Sequence, residues 1–203
     1  MAKKPQKRTL QTRKKILRTA RSLVQEFGFD GVSTDVITRE SGVAKGTLFA
    51  HFGDRNGLMS CLLDERLAAM LDEWQKSSLA SDKGMVVLLK RSMAFINLMA
   101  SDRGVFSLFL QNSGVTSPNT SPKFYETLTR LTNLLTDHLE QWSNDKTASE
   151  RLRVDLTPTE LGDGLIAFMI QAASRHLCGE IPDRENVKAM LEKQFRAWLL
   201  GCN

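Results

Sequence analysis

TDVITRESGVAKGTLFAHF, residues 34–52, reads as two short helices joined by a glycine turn. Ser33 or Thr34 can cap the first orphan N–H groups, and Asp35 lies in the first turn, where the helix dipole favours negative charge. Val36 and Ile37 are the apolar positions of that helix. Ser41-Gly42-Val43 breaks it, because Gly42 can take the left-handed conformation that a tight helix end needs. From Lys45 to Phe52 the helix resumes, with Leu48 and Phe52, four apart, directed into the core. Lys45, Gly46, Thr47, Phe49 and His51 remain on the outward side. Such a helix-turn-helix places its second helix in the major groove of DNA, and this one offers a cation, a hydroxyl, an aromatic ring and an imidazole.

Charge is distributed in keeping with that reading. Of 28 Lys/Arg and 23 Asp/Glu, residues 1–60 hold 12 basic against 5 acidic, and residues 61–203 hold 16 against 18. A basic quarter ahead of a near-neutral remainder points to an anionic polymer as the partner of one part only. The 203 residues, 41% of them hydrophobic, suffice for one large domain or two small ones. No run of 18 apolar residues occurs, and the basic start is not followed by an apolar stretch of the signal-peptide kind. Cys61, Cys178 and Cys202 are widely spaced and odd in number, neither a disulfide framework nor a metal pattern. A cytoplasmic protein with reduced thiols is the expectation.

Along the rest of the chain the apolar period is helical. MAKKPQKRTL (1–10) has four positive charges and no period; it reads as a flexible arm, following phosphates or the minor groove, or else merely solvating. From Thr12, Ile16, Leu17, Ala20, Leu23, Val24 and Phe27 form one stripe, with Lys14, Arg18 and Arg21 on another face and Gly28 as the stop. A long helix is predicted from about Gly57 to Leu79 (Leu58, Cys61, Leu62, Leu67, Met70, Leu71, Trp74), linking the two halves. Further helices are predicted at about 85–100, 105–111, 121–142, 157–178 and 183–200. Ser121-Pro122 and Thr157-Pro158 supply caps followed by proline at the first helical position, and Gly179 and Gly201 follow helix ends. Residues 112–122 read as a mobile loop. No strand alternation occurs, so the fold class is all-α.

GVAKGTLFAHF followed by GDRNGL (residues 42–58) resembles the DNA-binding region of TetR-family transcriptional regulators, and the similarity covers roughly residues 10–60. The resemblance implies an N-terminal three-helix DNA-binding domain (1–54) and a larger helical effector-binding and dimerisation domain (55–203). It implies that Lys45 and Arg55 hold phosphates, that Thr47, Phe49 and His51 meet phosphates, sugars or base edges, that Gly46 allows close approach, and that Thr34 belongs to the same surface. Three positions depart from the family pattern. Phe49 replaces a usual tyrosine and loses its hydroxyl, Thr38 and Ser41 replace packing alanines, and Arg55 replaces a lysine.

The resemblance also implies an apolar pocket, with Met70, Trp74, Phe95, Met99, Phe106, Phe109, Phe168 and Gln171 as its lining, although such a stripe is more often simply core. The last two helices carry broad apolar arcs. Leu161, Leu165, Phe168, Met169, Ala172, Phe195 and Trp198 are therefore expected at a twofold helical interface, as the family resemblance also implies. Catalysis lacks support. His51, His138 and His176 lie far apart, Asp64-Glu65 and Asp72-Glu73 are adjacent acids directed to different helix faces, and no metal or cofactor motif is present.

The reading is a homodimeric DNA-binding regulator, a repressor released from a pseudo-palindromic operator by a small apolar or amphipathic effector. The alternative is a ligand-independent DNA-bound structural or partner-recruiting protein. Deleting residues 2–8 removes Lys3, Lys4, Lys7 and Arg8. If these side chains neutralise phosphates, the slope of log affinity against log salt becomes shallower by up to about 0.9 for each phosphate set free. An unchanged slope in salt-matched titrations shows that the segment merely solvates.

Overall fold

The computed structural model describes residues 4–77, 84–113 and 122–200. Its helices run in the order α1 Lys4–Phe27, α2 Thr34–Ser41, α3 Lys45–Phe52, α4 Arg55–Ser77, α5 Gly84–Met99, α6 Arg103–Asn112, α7 Pro122–Asn144, α8 Pro158–Leu177 and α9 Arg184–Leu199. No strand occurs among the described residues. The chain is thus all-helical, with an N-terminal helix-turn-helix followed by a larger helical part. The expectations for Ser121, Gly201 and most of the 112–122 loop fall outside the described residues, as does the end of the long helix beyond Ser77.

Two differences from the sequence reading have local causes. The basic start is helical from Lys4 rather than a free arm; Pro5 falls in the first turn, where its missing N–H would have had no helical partner anyway. Phe27 does not complete the α1 stripe. It is 54% exposed, because Gly28 turns the chain at φ +74 and delivers Phe29, 1% exposed, to the core in its place. The buried face of α1 is Ile16, Ala20, Leu23 and Val24.

Helix α4 carries the architecture. It packs on α1 and α3 at one end and on α5, α6 and α7 along the rest. A helix with partners on several sides needs more than one apolar stripe. Accordingly Leu58, Met59, Leu62, Leu63, Leu67, Leu71 and Trp74 are all buried. Around it, α7 buries one clean stripe, Phe124, Thr127, Leu131, Leu135, Leu139 and Trp142. Thr157 and Glu160 form a reciprocal capping box at the start of α8: the Thr157 N–H donates to the Glu160 carboxylate (2.8 Å) and the Glu160 N–H to Thr157 Oγ1 (3.2 Å). The Thr157 N–H and the Thr157 hydroxyl, which also donates to the carboxylate (2.8 Å), hold the Glu160 carboxyl below its ordinary range.

The α8–α9 pair corrects the expected interface. Leu161, Leu165, Met169, Ala172 and Phe195 are 0–1% exposed within the single chain, so the subunit's own core consumes them. Phe168 and Trp198 are half-buried and pack edge-on at 6.2 Å. Trp198 lies over Gly164, where a Cβ would come within 2.4 Å of the indole, and its Nε1–H donates to Leu161 O at 3.0 Å. The small residues of α8 serve close packing inside the subunit.

At the far end of α7, His138 is half-buried against Trp142, with Nε2 3.0 Å from the Gly84 carbonyl, a contact that needs the Nε2-protonated tautomer. Burial pushes its pKa below the ordinary value; Arg91 adds to this and the Gly84 bond opposes it. Because the folded value lies below the unfolded one, the unfolded chain takes up this proton first as pH falls. The His138 contribution is therefore intact above the ordinary histidine range, about 6.5, and declines as pH falls below it. Denaturant melts from pH 8 to 5 should show this decline, and His138→Gln should flatten it.

Candidate nucleic-acid interface

The turn forms as its residues dictate. Ser33 is extended (φ −92, ψ 159) and its Oγ accepts the Val36 N–H at 3.3 Å, capping α2. Gly42 closes α2 in the left-handed region (φ 59), its N–H donating to Arg39 O. Ile37 and Leu48 are completely buried and lock the two helices onto the core. In an eight-residue helix with one fully buried side chain, that side chain decides which face turns outward. Here Lys45, Gly46, Phe49 and Ala50 are exposed, and Thr47 and His51 are half-buried.

Of the residues expected at the surface, Lys45 is held by an exposed ion pair to Asp35 of α2, 2.8 Å. Such a pair contributes little to stability, but it extends the ammonium along the α2–α3 face. No atom lies within 4 Å of where a Gly46 Cβ would be, so the face is open there. Phe49 is 38% exposed. Thr34 is half-buried at the start of α2. Arg55 departs from expectation. Its guanidinium donates to Val32 O at 2.7 Å and to Phe29 O, so it staples the α1–α2 connection and does not project toward a phosphate.

Arg13 is the residue that the sequence did not disclose. It donates to the His51 carbonyl (2.8 Å) and to Cys61 Sγ (3.3 Å), and its guanidinium stacks 4.2 Å above the Phe52 ring. One cation thus ties α1 to the end of α3 and the start of α4. It lies on the same helix as Lys14 and Arg18, and only its three-dimensional partners set it apart. Asp102 is the second such residue. One carboxylate oxygen caps α6 through the Gly104 N–H (2.7 Å); the other accepts the Phe29 N–H (2.6 Å). A Cβ on Gly104 would meet Asp30 Oδ1 at 2.5 Å, so α6 is pressed against the α1–α2 connection.

None of the expected pocket residues lines either of two clefts formed by the described residues. Trp74, Phe95, Met99 and Phe109 are 0–3% exposed core, with Phe95 and Phe109 edge-on at 5.5 Å. Met70 and Phe106 are half-buried, Phe168 packs on α9, and Gln171 is exposed, accepting from Gln194. Two clefts lie elsewhere. One, of about 950 Å3, is walled by α5, α7 and the connection after α7, including His138 and Trp142. The other, of about 800 Å3, lies between the helix-turn-helix and α6–α7, lined by Arg13, His51, Cys61, Asp64, Asn112 and Lys123 among others. In its wall the buried Asp64 pairs with Lys123 (2.6 Å) and accepts from Thr127 Oγ1 (2.6 Å). The Asp64 hydrogen bond holds the Lys123 ammonium above its ordinary pKa.

Residues 16–60 match the family profile of bacterial regulatory proteins, tetR family. The chain is 32% identical over 106 residues to the A-factor receptor protein of Streptomyces griseus, a match covering 50% of this chain and 38% of that protein. The chain therefore spans well under half of that relative's length. Among solved structures, a TetR-family transcriptional regulator from Pectobacterium atrosepticum has a TM-score of 0.72 at 22% identity, over 97% of this chain and 98% of that one. Thermus thermophilus FadR, described as a TetR-family transcriptional repressor in complex with lauroyl-CoA, has 0.67 at 17% identity, covering 92% of each chain. At these identities the structural likeness speaks for the fold.

Thr47 and Arg55 separate binding from folding. Thr47→Ala should weaken binding to a specific duplex by an amount consistent with one base-edge or phosphate contact, about 1–3 kcal/mol, with an unchanged melting curve. Arg55→Ala should lower stability by about 2 kcal/mol, since it strands two carbonyls that accept from a charged donor. Denaturant melts beside salt-matched binding titrations check both. A purely affinity-linked Arg55 would return it to the contact surface.

Proposed function

We propose, from the match of residues 16–60 to the tetR family of bacterial regulatory proteins, that the chain is a homodimeric transcriptional repressor released from its operator by a small molecule. The observation that carries the DNA-binding part is the outward face of α3, which presents Lys45, Thr47, Phe49 and His51 from the basic quarter of the chain. In this reading residues 1–54 engage DNA and residues 55–203 dimerise and respond to the effector. Each subunit places α3 in a major groove, with half-sites about one helical turn, roughly 34 Å, or more apart. Lys45 and the exposed cations of α1 hold phosphates; Thr47, Phe49 and His51 face bases and sugars.

The route from effector to DNA runs through α4 and the α6 joint. α4 packs on both parts of the chain, and Asp102 fixes α6 to the α1–α2 connection. An effector that repacks α4 or α6 would shift the helix-turn-helix and change the separation of the two recognition helices, so that both half-sites no longer fit at once. The Streptomyces relative is by its name a receptor, which supports a ligand, and the lauroyl-CoA of the Thermus structure supports an amphipathic one. Met70 on α4 and Met99 on α5 give that core the adaptability such a ligand requires. The close packing of Trp74, Phe95, Met99 and Phe109 favours the second reading, a DNA-bound protein that needs no ligand.

Selection of duplexes from randomised DNA, followed by a screen of acyl thioesters and fatty acids for release, tests the proposal. An inverted repeat released by one such class is expected. An inverted repeat that no compound releases favours the ligand-independent reading, and no enriched sequence overturns both. Dimerisation has its own test. Phe168, half-buried on α8, is with Trp198 one of the two expected seam residues left partly accessible, and Phe168→Glu should yield a helical monomer with operator affinity reduced by about two orders of magnitude or more. That reduction follows because binding at the second half-site is no longer intramolecular. A variant that sediments as a dimer contradicts the seam.

A further inference from the structure

We infer that Phe49 is a specificity-determining residue that reads a thymine C5-methyl group in the major groove. The inference rests on the DNA-binding reading above. Successive residues of a helix are set about 100° apart. With Leu48 fully buried, Gly46 and Ala50 fall opposite the core and Gly53 continues that line. No atom lies within 4 Å of the Cβ position of Gly46 or of Gly53. The outermost ridge of α3 therefore carries no side chain larger than a methyl. The helix backbone can come close to the floor of a groove, and side chains on the two flanks reach the base edges. Thr47 and His51 occupy one flank; Lys45 and Phe49 occupy the other.

Phe49 is 38% exposed on that flank, and among the described residues no ring or guanidinium stacks on it. The ring has no donor or acceptor, so a phosphate or a polar base edge that it covers is desolvated without return. In the major groove the edges of guanine, cytosine and adenine are donors and acceptors, whereas thymine adds a methyl group. That methyl is the one feature against which an aromatic ring buries surface without uncovering an unmet hydrogen bond. The bare Gly46–Ala50 ridge removes the steric reason why the ring could not reach it.

The test uses the full chain and a duplex recovered by selection. Deoxyuridine replaces thymine at one position at a time, deleting the methyl and nothing else. Wild-type protein should bind about fourfold more weakly at one thymine per half-site, as expected for one buried methyl. Phe49→Ala should bind the thymine and uracil duplexes equally, and Phe49→Leu should keep part of the preference. If the alanine variant melts early, Phe49→Gln carries the same comparison. A wild type indifferent to every substitution, or a penalty that persists in both Phe49→Ala and Phe49→Gln, overturns the inference while leaving specific DNA binding intact. A wild type that enriches no duplex overturns the DNA-binding reading and this inference together.

Discussion

One buried leucine sets the orientation of the candidate interface. Leu48 is completely enclosed, and α3 is only eight residues long, so its outward face is whatever lies opposite that side chain. Gly42, in the left-handed region, sets the angle at which α3 leaves α2, and Ile37 fixes α2 to the same core. Arg13 then closes the far end of α3 through the His51 carbonyl and the Phe52 ring. A helix this short contributes little stability of its own. Its direction is imposed by these three attachments, and the residues it shows to solvent follow.

The same economy extends inward through α4. Its first turns pack beneath the helix-turn-helix and its remainder packs within the larger part, so one helix runs through a single continuous core. Asp102 adds a second tie, a single carboxylate that caps α6 and receives the Phe29 N–H. Arg55 staples the same connection from the other side. In the proposed regulator, movement of α4 or α6 would reach this connection through those bonds and carry the helix-turn-helix with it. That property is what an effector-responsive regulator requires, whichever face of the larger part takes the effector.

Much of this was legible in the sequence. The caps at Ser33 and Thr157, the Gly42 turn and the boundaries of α2 and α3 follow from local chemistry, and local chemistry is what a sequence displays. Periodicity found the helices but misjudged their surroundings. An apolar arc broader than one stripe on α8 was consistent with a partner subunit, yet neighbouring helices of the same chain cover most of it. The aromatic and methionine side chains of α4–α6 had the composition of a pocket and the packing of a core. Arg55 sat where a phosphate contact was expected, and its two carbonyl partners, more than 20 residues away, were invisible to spacing. Arg13 and Asp102 were missed for the same reason: their roles exist only between elements distant in the chain.

In the proposed regulator the face opposite Leu48 meets DNA. Alanine methyl groups report it directly, because Ala44 and Ala50 are exposed around α3 while Ala167 and Ala197 are exposed on α8 and α9. With alanine methyls labelled, NMR titration with a selected duplex should shift the Ala44 and Ala50 signals and leave Ala167 and Ala197 in place. A complex that forms with the Ala50 signal unmoved would contradict the account.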